Sequence, residues 1–513
     1  MLTCQLISSP INWTGPPTTI STSGLNSSSV YVSTDSSGNG LAMWNENTYV
    51  KARNISMSGV WSSITTLSGA NASSHQMSVS PNGNCVAIWI ESGAVKVATQ
   101  SFGQSWSSAT TLAASGGASP TVAIDAAGNI LATWVAGTAI QSSTRLAGGS
   151  WQSTPDTLSS NGTNPRAAIS ANGTAIIAWH GMNAISSMDA IFAIEKTMNG
   201  SWGSAQTVSN PSQNSVFPKV AIDKDGNAVV LWFTFAMNGT QYTGVGVQSS
   251  TLLASTFSWS TPVNLDTMGN VDPKSLYLNI QFTSTGSGIA AWMNSIDGIS
   301  YTLYSAVINV ASGWKNVTGI VSDINLRSAG MGVTTIGDAF LTYMITDPAT
   351  SNIVIQTLES YFGGLVNEIW INQQTVSTNS KNGYSKVSVS TQGNSNKNGV
   401  VAWITYDGTS NVIQAVTGNA PLIQPPTGLT ATASVIDYNV FVDQTKTITW
   451  TSSTSPNTTL YLVYRNGIQI AQVDPSTPTF TDHNRTVGVV DTYGIAAIDG
   501  NTAEQSTIVT IAL

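Results

Sequence analysis

The sequence predicts an all-β protein: an eight-bladed β-propeller followed by a C-terminal β-sandwich. Two observations carry the propeller. A tryptophan recurs eight times, at Trp13, Trp61, Trp106, Trp151, Trp202, Trp259, Trp314 and Trp370. In step with it, short apolar runs end in an aromatic at Trp44, Trp89, Trp134, Trp179, Trp232, Trp292, Tyr343 and Trp403, with steps of 45, 45, 45, 53, 60, 51 and 60 residues. Self-similarity at roughly 40–60 residues marks a propeller or another repeat array. The third observation is that the period stops at the Pro-rich stretch Ala420–Pro426, beyond which the turn spacing changes.

One repeat shows the elements. Pro120–Asp125 reads as a short strand, Asp125-Ala126-Ala127-Gly128-Asn129 as a turn and Ile130–Val135 as a second strand. A third strand follows at Ala139–Thr144, and Gly149-Ser150-Trp151 opens a fourth that runs to Leu158. The turn recurs at Asp35–Gly38, Pro81–Gly83, Ala171–Gly173 and Asp223–Gly226. An Asp or Asn there bonds the following backbone and the Gly supplies a positive φ. The second strand is apolar on both faces, as in Leu41-Ala42 and Val229-Val230 before their aromatics. A half-exposed strand would alternate, so both faces are covered, as they are between neighbouring blades. The repeat aromatics are therefore read as packing between blades.

The repeats fall at about residues 25–67, 72–112, 118–158, 164–208, 215–265, 275–321 and 328–376, with an eighth from Tyr384 that lacks its fourth strand. The segment from Ile11 through Ile20 supplies a spare strand in phase, which predicts a ring closed by the N-terminus and no open edges. Seven blades is the alternative, because the repeats after about residue 210 are longer and less regular. The predicted domains are 1–419 for the propeller, 420–425 for a stiff linker and 426–513 for the sandwich.

Composition narrows the function classes. Charged residues make up 8% of the 513, the net charge is −8, and no basic run occurs. Nucleic acid is therefore excluded as an expected partner, and no stretch reaches the length of a membrane span. A polar, uncharged surface suits a secreted or cell-surface protein. Met1-Leu2-Thr3-Cys4 lacks the charged and apolar regions of a signal peptide. Cys85, in an apolar strand, reads as a buried thiol, and a disulfide to Cys4 stays open.

Chemistry is sparse. The three histidines, His75, His180 and His483, share no metal-ligand spacing, so neither a metal nor a cofactor is expected. No phosphate loop or nucleophile elbow occurs. The candidate ligand-binding residues are Glu46 and Glu91, each two beyond a repeat Trp, with His180, Arg53 and Arg145; none is assigned a catalytic role. Paired carboxylates for glycoside hydrolysis remain open among Glu46, Glu91, Asp189 and Glu195.

Residues 426–513 resemble a fibronectin type III domain: Pro425-Pro426 at the entry, Trp450 in the core, the Tyr464-Arg465-Asn466-Gly467 hairpin and a late Tyr493 strand. That resemblance implies a spacer or docking module. Residues 11–418 are similar to bacterial secreted or surface β-propellers with Val-Ala-x-Asp-x-x-Gly-Asn repeats ending in Trp, which implies a fold far more than an activity. The sialidase box departs from this pattern: it places its aromatic three residues after the Gly, whereas Trp134 falls six after Gly128. The expected function is a non-enzymatic binding or adhesion protein that recognises a glycan or a cell-surface protein through propeller loops. A self-assembling fibre or layer subunit is the first alternative, and a glycoside hydrolase or sialidase-like enzyme the second.

Overall fold

The computed structural model is all-β, with no helix among the described residues. It describes residues 11, 13, 16–56, 58–238, 241–266, 269, 276–283, 286–295, 299–334, 338–361, 370–380, 385–392, 396–420, 425–437, 442–455, 458–466, 468–486, 488–499, 506 and 509–513. Cys4 lies outside them; Cys85 is a buried free thiol, its pKa pushed up to about 12 by burial and by Asp35.

The chain divides into two compact units, one of Trp13–Thr391 with Asn398–Gly418 and one built mainly from Asn419–Leu513. In the first, each repeat makes one antiparallel sheet whose strands pair in chain order. Sheet 1 is Ser27–Thr34, Gly40–Glu46, Tyr49–Ile55 and Thr65–Thr66. Sheets 2 to 7 begin at Ala72, Gly117, Thr163, Asn214, Leu278 and Leu326 and follow the same order, sheet 5 adding Val263–Asp266 against its third strand, Gln241–Leu253. Sheet 8 is Ser385–Gln392, Asn396–Tyr406 and Asn411–Ala420, completed on its outer edge by Thr18–Thr19. That last pairing is short: Thr18 lies opposite Ala415 and Thr19 opposite Gln414. It is extended by Ile20 N–H donating to the Ile413 carbonyl at 2.8 Å.

Apolar second strands drive the stacking. Trp44, Trp89, Trp134, Trp179, Trp232, Trp292, Tyr343 and Trp403 are all at most 2% exposed. Their neighbours come from two sheets at a time: Trp89 packs with Leu41 and Met43, Trp134 with Val86 and Ile88, and Trp44 with Val400 and Ala402. Three of the hairpin turns are held by buried carboxylates. Asp223 Oδ1 accepts from the Asp225 and Asn227 amides at 2.9 Å each, and Asp35 and Asp125 act alike. These carboxylates are therefore spent on backbone.

The first strands pack against one another from sheet to sheet, so they form the innermost layer. In sheets 1 to 5 each carries a β-bulge at the same place, with a left-handed residue: Ser29 (φ 56°), Ser74 (48°), Ser119 (47°), Asn164 (50°) and Phe217 (56°). Non-glycine residues there carry strain, and bulges re-aim the side chains that follow. Ser74 is exposed, so Ser74→Gly relieves strain without removing packing. After the unfolded-state entropy of glycine is subtracted, the variant is expected to be more stable by about 0.5 kcal/mol in denaturant titration.

In the second unit, Thr427–Asp437, Val442–Thr451 and Thr479–Asp482 form one sheet. Ile468–Val473, Thr458–Arg465, Thr492–Asp499 and Val509–Ala512 form the other. Ile448, Trp450, Tyr461, Val463, Tyr493 and Ile495 make its core. Lys446 Nζ, almost fully buried, is paired with Asp491 at 2.9 Å and donates to the Val489 and Leu513 carbonyls.

Candidate functional site

One residue of each first strand of sheets 1 to 7 lies at a common register, just beyond the bulge in sheets 1 to 5. Tyr31, Gln76, Thr121, Arg166, Lys219, Asn279 and Gly330 lie opposite Met43, Ile88, Thr133, Ala178, Leu231, Ala291 and Thr342, each of which precedes a repeat aromatic. The innermost strands thus carry a polar belt with two cations on adjacent sheets. Tyr31 of sheet 1 and Arg166 of sheet 4 are within electrostatic reach although two sheets intervene in sequence. Both are surrounded by protein yet keep partial solvent exposure, as side chains in a channel do. Burial raises the Tyr31 pKa, opposed by Arg166 and by a hydrogen bond with Gln76, so the phenol holds its proton above the usual range. Burial lowers the Arg166 pKa, opposed by Tyr31. Arg166 Nη1 donates to the Pro165 carbonyl at 2.9 Å.

Two imidazoles flank the belt. The His75 ring meets Tyr31 edge-on at 5.3 Å, and its Nδ1 lies 2.5 Å from Asn45 Oδ1. Burial holds its pKa near 4, against hydrogen bonds to the Met43 and Ser29 backbone. Unfolded, His75 titrates near 6.5, so between pH 6.5 and 4 the unfolded chain binds a proton that the folded chain refuses. Stability is expected to fall by about 3 kcal/mol across that window and then to level off, and His75→Gln to flatten the profile in urea titrations at stepped pH.

His180 lies in the second strand of sheet 4 (Thr174–Met182), opposite Thr163, and meets the Phe217 ring edge-on at 6.0 Å. Its pKa is lowered by burial, which Asp189 opposes, and its Nδ1 is buried without a hydrogen-bond partner among the described residues. Burial keeps the partly exposed ring neutral, the form in which an imidazole can act as a base.

The other sequence candidates are occupied elsewhere. Glu46, 1% exposed, accepts from the Thr22 amide at 2.8 Å, the Thr22 hydroxyl and the Trp44 indole. Glu91 accepts from the Gly69 amide, the Trp89 indole and Lys96. The shared spacing of the two glutamates reflects one repeated packing device. Arg53 lies over the Trp61 ring and bonds the Ser62 and Ile20 carbonyls. Arg145 lies over Trp151 and donates to Thr99. The structure does not bring these four to the belt. Tyr31, Arg166 and Lys219 were missed because they differ from repeat to repeat; the signal was their position, thirteen residues before each repeat aromatic. No group of three or more His, Cys, Asp or Glu that could hold a metal occurs among the described residues.

No family model and no curated protein matches the chain. Among solved structures, the chain is similar to an ulvan lyase of a polysaccharide lyase family, at 14% identity over 65% of this chain and 89% of that one, with a TM-score of 0.40. It is similar to the β-propeller domain of the trilobed protease of Pyrococcus furiosus, at 7% identity over 70% and 97% of the two chains and a TM-score of 0.41. A Hadza microbial sialidase matches at 12% identity over 80% and 96%, with a TM-score of 0.28. These likenesses accord with an all-β chain of small antiparallel sheets, and at such scores they assign no residue or substrate to it.

The expectation of a non-enzymatic binding protein is corrected. The solved structures similar to this chain are mostly enzymes, among them polysaccharide lyases, a sialidase and an oxidase. The site agrees physically: the loop carboxylates and arginines expected to hold a ligand are consumed in packing. The innermost strands instead gather a phenol, a guanidinium and a second cation at one level.

Proposed function

We propose that the first unit is a closed eight-bladed β-propeller and that residues 426–513 form a fibronectin type III-like spacer. On this reading the chain is a secreted carbohydrate-active enzyme that cleaves a uronate-bearing polysaccharide by elimination in the propeller channel. One observation carries the activity: Arg166 and Lys219 lie at one level on neighbouring innermost strands, within electrostatic reach of Tyr31 in the case of Arg166.

Elimination next to a uronate needs three groups. A cation must neutralise the carboxylate so that the neighbouring carbon proton becomes acidic; Arg166 is that group, and its planar fork suits a carboxylate. A base must remove the proton; that role falls to His180, a partly exposed imidazole that burial keeps neutral. An acid must protonate the departing glycosidic oxygen; Tyr31 keeps its proton. The base takes the proton, its electron pair forms the new carbon–carbon double bond, the carbon–oxygen bond breaks, and the leaving oxygen takes the Tyr31 proton. Hydrolysis by Glu46 and Glu91 as the carboxylate pair is disfavoured, because both are committed to indole and backbone donors. The test is incubation with pectate, alginate and glucuronan, with a neutral glucan as control, while following the ultraviolet absorbance of an unsaturated uronate. Absorbance rising on an acidic polymer alone supports the proposal; none on any polymer, with reducing ends also unchanged, refutes it.

A further inference from the structure

The sheets also form grooves at their outer strands, and three consecutive ones share a design. Gln100, Arg145 and Lys196 sit at one register of successive third strands, opposite Cys85, Ile130 and Ala175. They line the grooves between sheets 1 and 2, 2 and 3, and 3 and 4 respectively. The last groove is the largest, about 660 Å³, and its lining is the most varied.

In it, Lys196 is only 7% exposed, its stem covered by the fold and its ammonium 4.7 Å from the centre of the Trp202 ring. That ammonium has no hydrogen-bond acceptor among the described residues. Asp156 lies within electrostatic reach of that ammonium and is itself held in place: Oδ1 accepts from Gln152 Nε2 at 2.9 Å and Oδ2 from the Trp202 indole at 3.1 Å. Leu146 and Leu158 add apolar surface.

We propose that this groove is a second, non-catalytic saccharide site, selective for a carboxylate-bearing sugar and independent of the channel. Lys196 supplies three donors for the carboxylate. Asp156 keeps lone pairs for hydroxyl donors, and the indole and leucines face the C–H surface of the ring. A simple polyanion is a poorer match, because Asp156 would repel it.

Calorimetric titration with hexagalacturonate tests this in an Arg166→Gln chain, where the channel is disabled. Saturable binding is expected to persist, to weaken about tenfold or more with Lys196→Met, which keeps the stem, and to return with Lys196→Arg; a lost charged hydrogen bond corresponds to that factor. Cellohexaose is expected to bind at least tenfold more weakly. Hydrogen exchange on the Arg166→Gln chain is a readout independent of any Lys196 variant: the ligand is expected to protect residues 199–205 and 144–152. Protection confined elsewhere, unchanged affinity in Lys196→Met, or no binding once Arg166 is replaced overturns the proposal. Undiminished turnover by Arg166→Gln refutes the channel reading instead.

Discussion

Replacing Arg166 by glutamine is expected to lower kcat/KM on a uronate-bearing polysaccharide by about 10²–10³-fold, the loss seen when one preorganised charge-stabilising group is removed. The deficit is shared between KM and kcat, because the guanidinium pairs with the carboxylate of the bound substrate and more strongly as further charge develops with the leaving proton. Arg166 lies within electrostatic reach of Tyr31, and its own hydrogen bond is to the adjacent Pro165 carbonyl, so the fold loses little besides the charge. A lysine at 166 restores charge without the bidentate fork and should recover only part of the rate. Steady-state kinetics of both variants, with melting curves to confirm folding, checks this. Wild-type kcat in Arg166→Gln would remove the guanidinium from the mechanism.

The largest structural effect is expected at the repeat aromatics. Trp232 is fully buried between sheets 4 and 5, packed by Ala178, Ile191, Ala193 and Val230, and its indole donates to Gln248 at 3.3 Å. Trp232→Ala leaves a cavity that neither sheet can close and strands the Gln248 acceptor, so a loss of about 3–5 kcal/mol is expected in denaturant titration. Trp202, half-buried at an outer groove, should lose clearly less on the same substitution. Equal losses would mean that the second-strand aromatics do not carry the stacking.

These two positions show what a single sequence makes legible. Trp232 belongs to a series that repeats because every pair of neighbouring sheets poses the same packing problem, and repetition is visible without coordinates. The turn carboxylates Asp35, Asp125 and Asp223 were legible for the same reason. Arg166 is the opposite case. Its equivalents are Tyr31, Gln76, Thr121, Lys219, Asn279 and Gly330, a set with no common chemistry. A site formed where repeats differ leaves no motif, and only the register puts Tyr31 and Arg166 at one level of their sheets. The left-handed residues were equally hidden, because Ser29, Ser74, Ser119, Asn164 and Phe217 are not glycines. Glu46 and Glu91 misled in the other direction: a repeated carboxylate near a strand end reads as a site, yet repetition here signals a bond to the preceding indole.

The central claim is elimination in the channel, and the mass of the product tests it most directly. Mass spectrometry of oligosaccharides released from an acidic polysaccharide should show a non-reducing-end sugar lighter by one water than the hydrolytic product. That species should be absent from digests by Arg166→Gln. Products of full hydrolytic mass, or unsaturated products formed equally well without Arg166, would contradict the account.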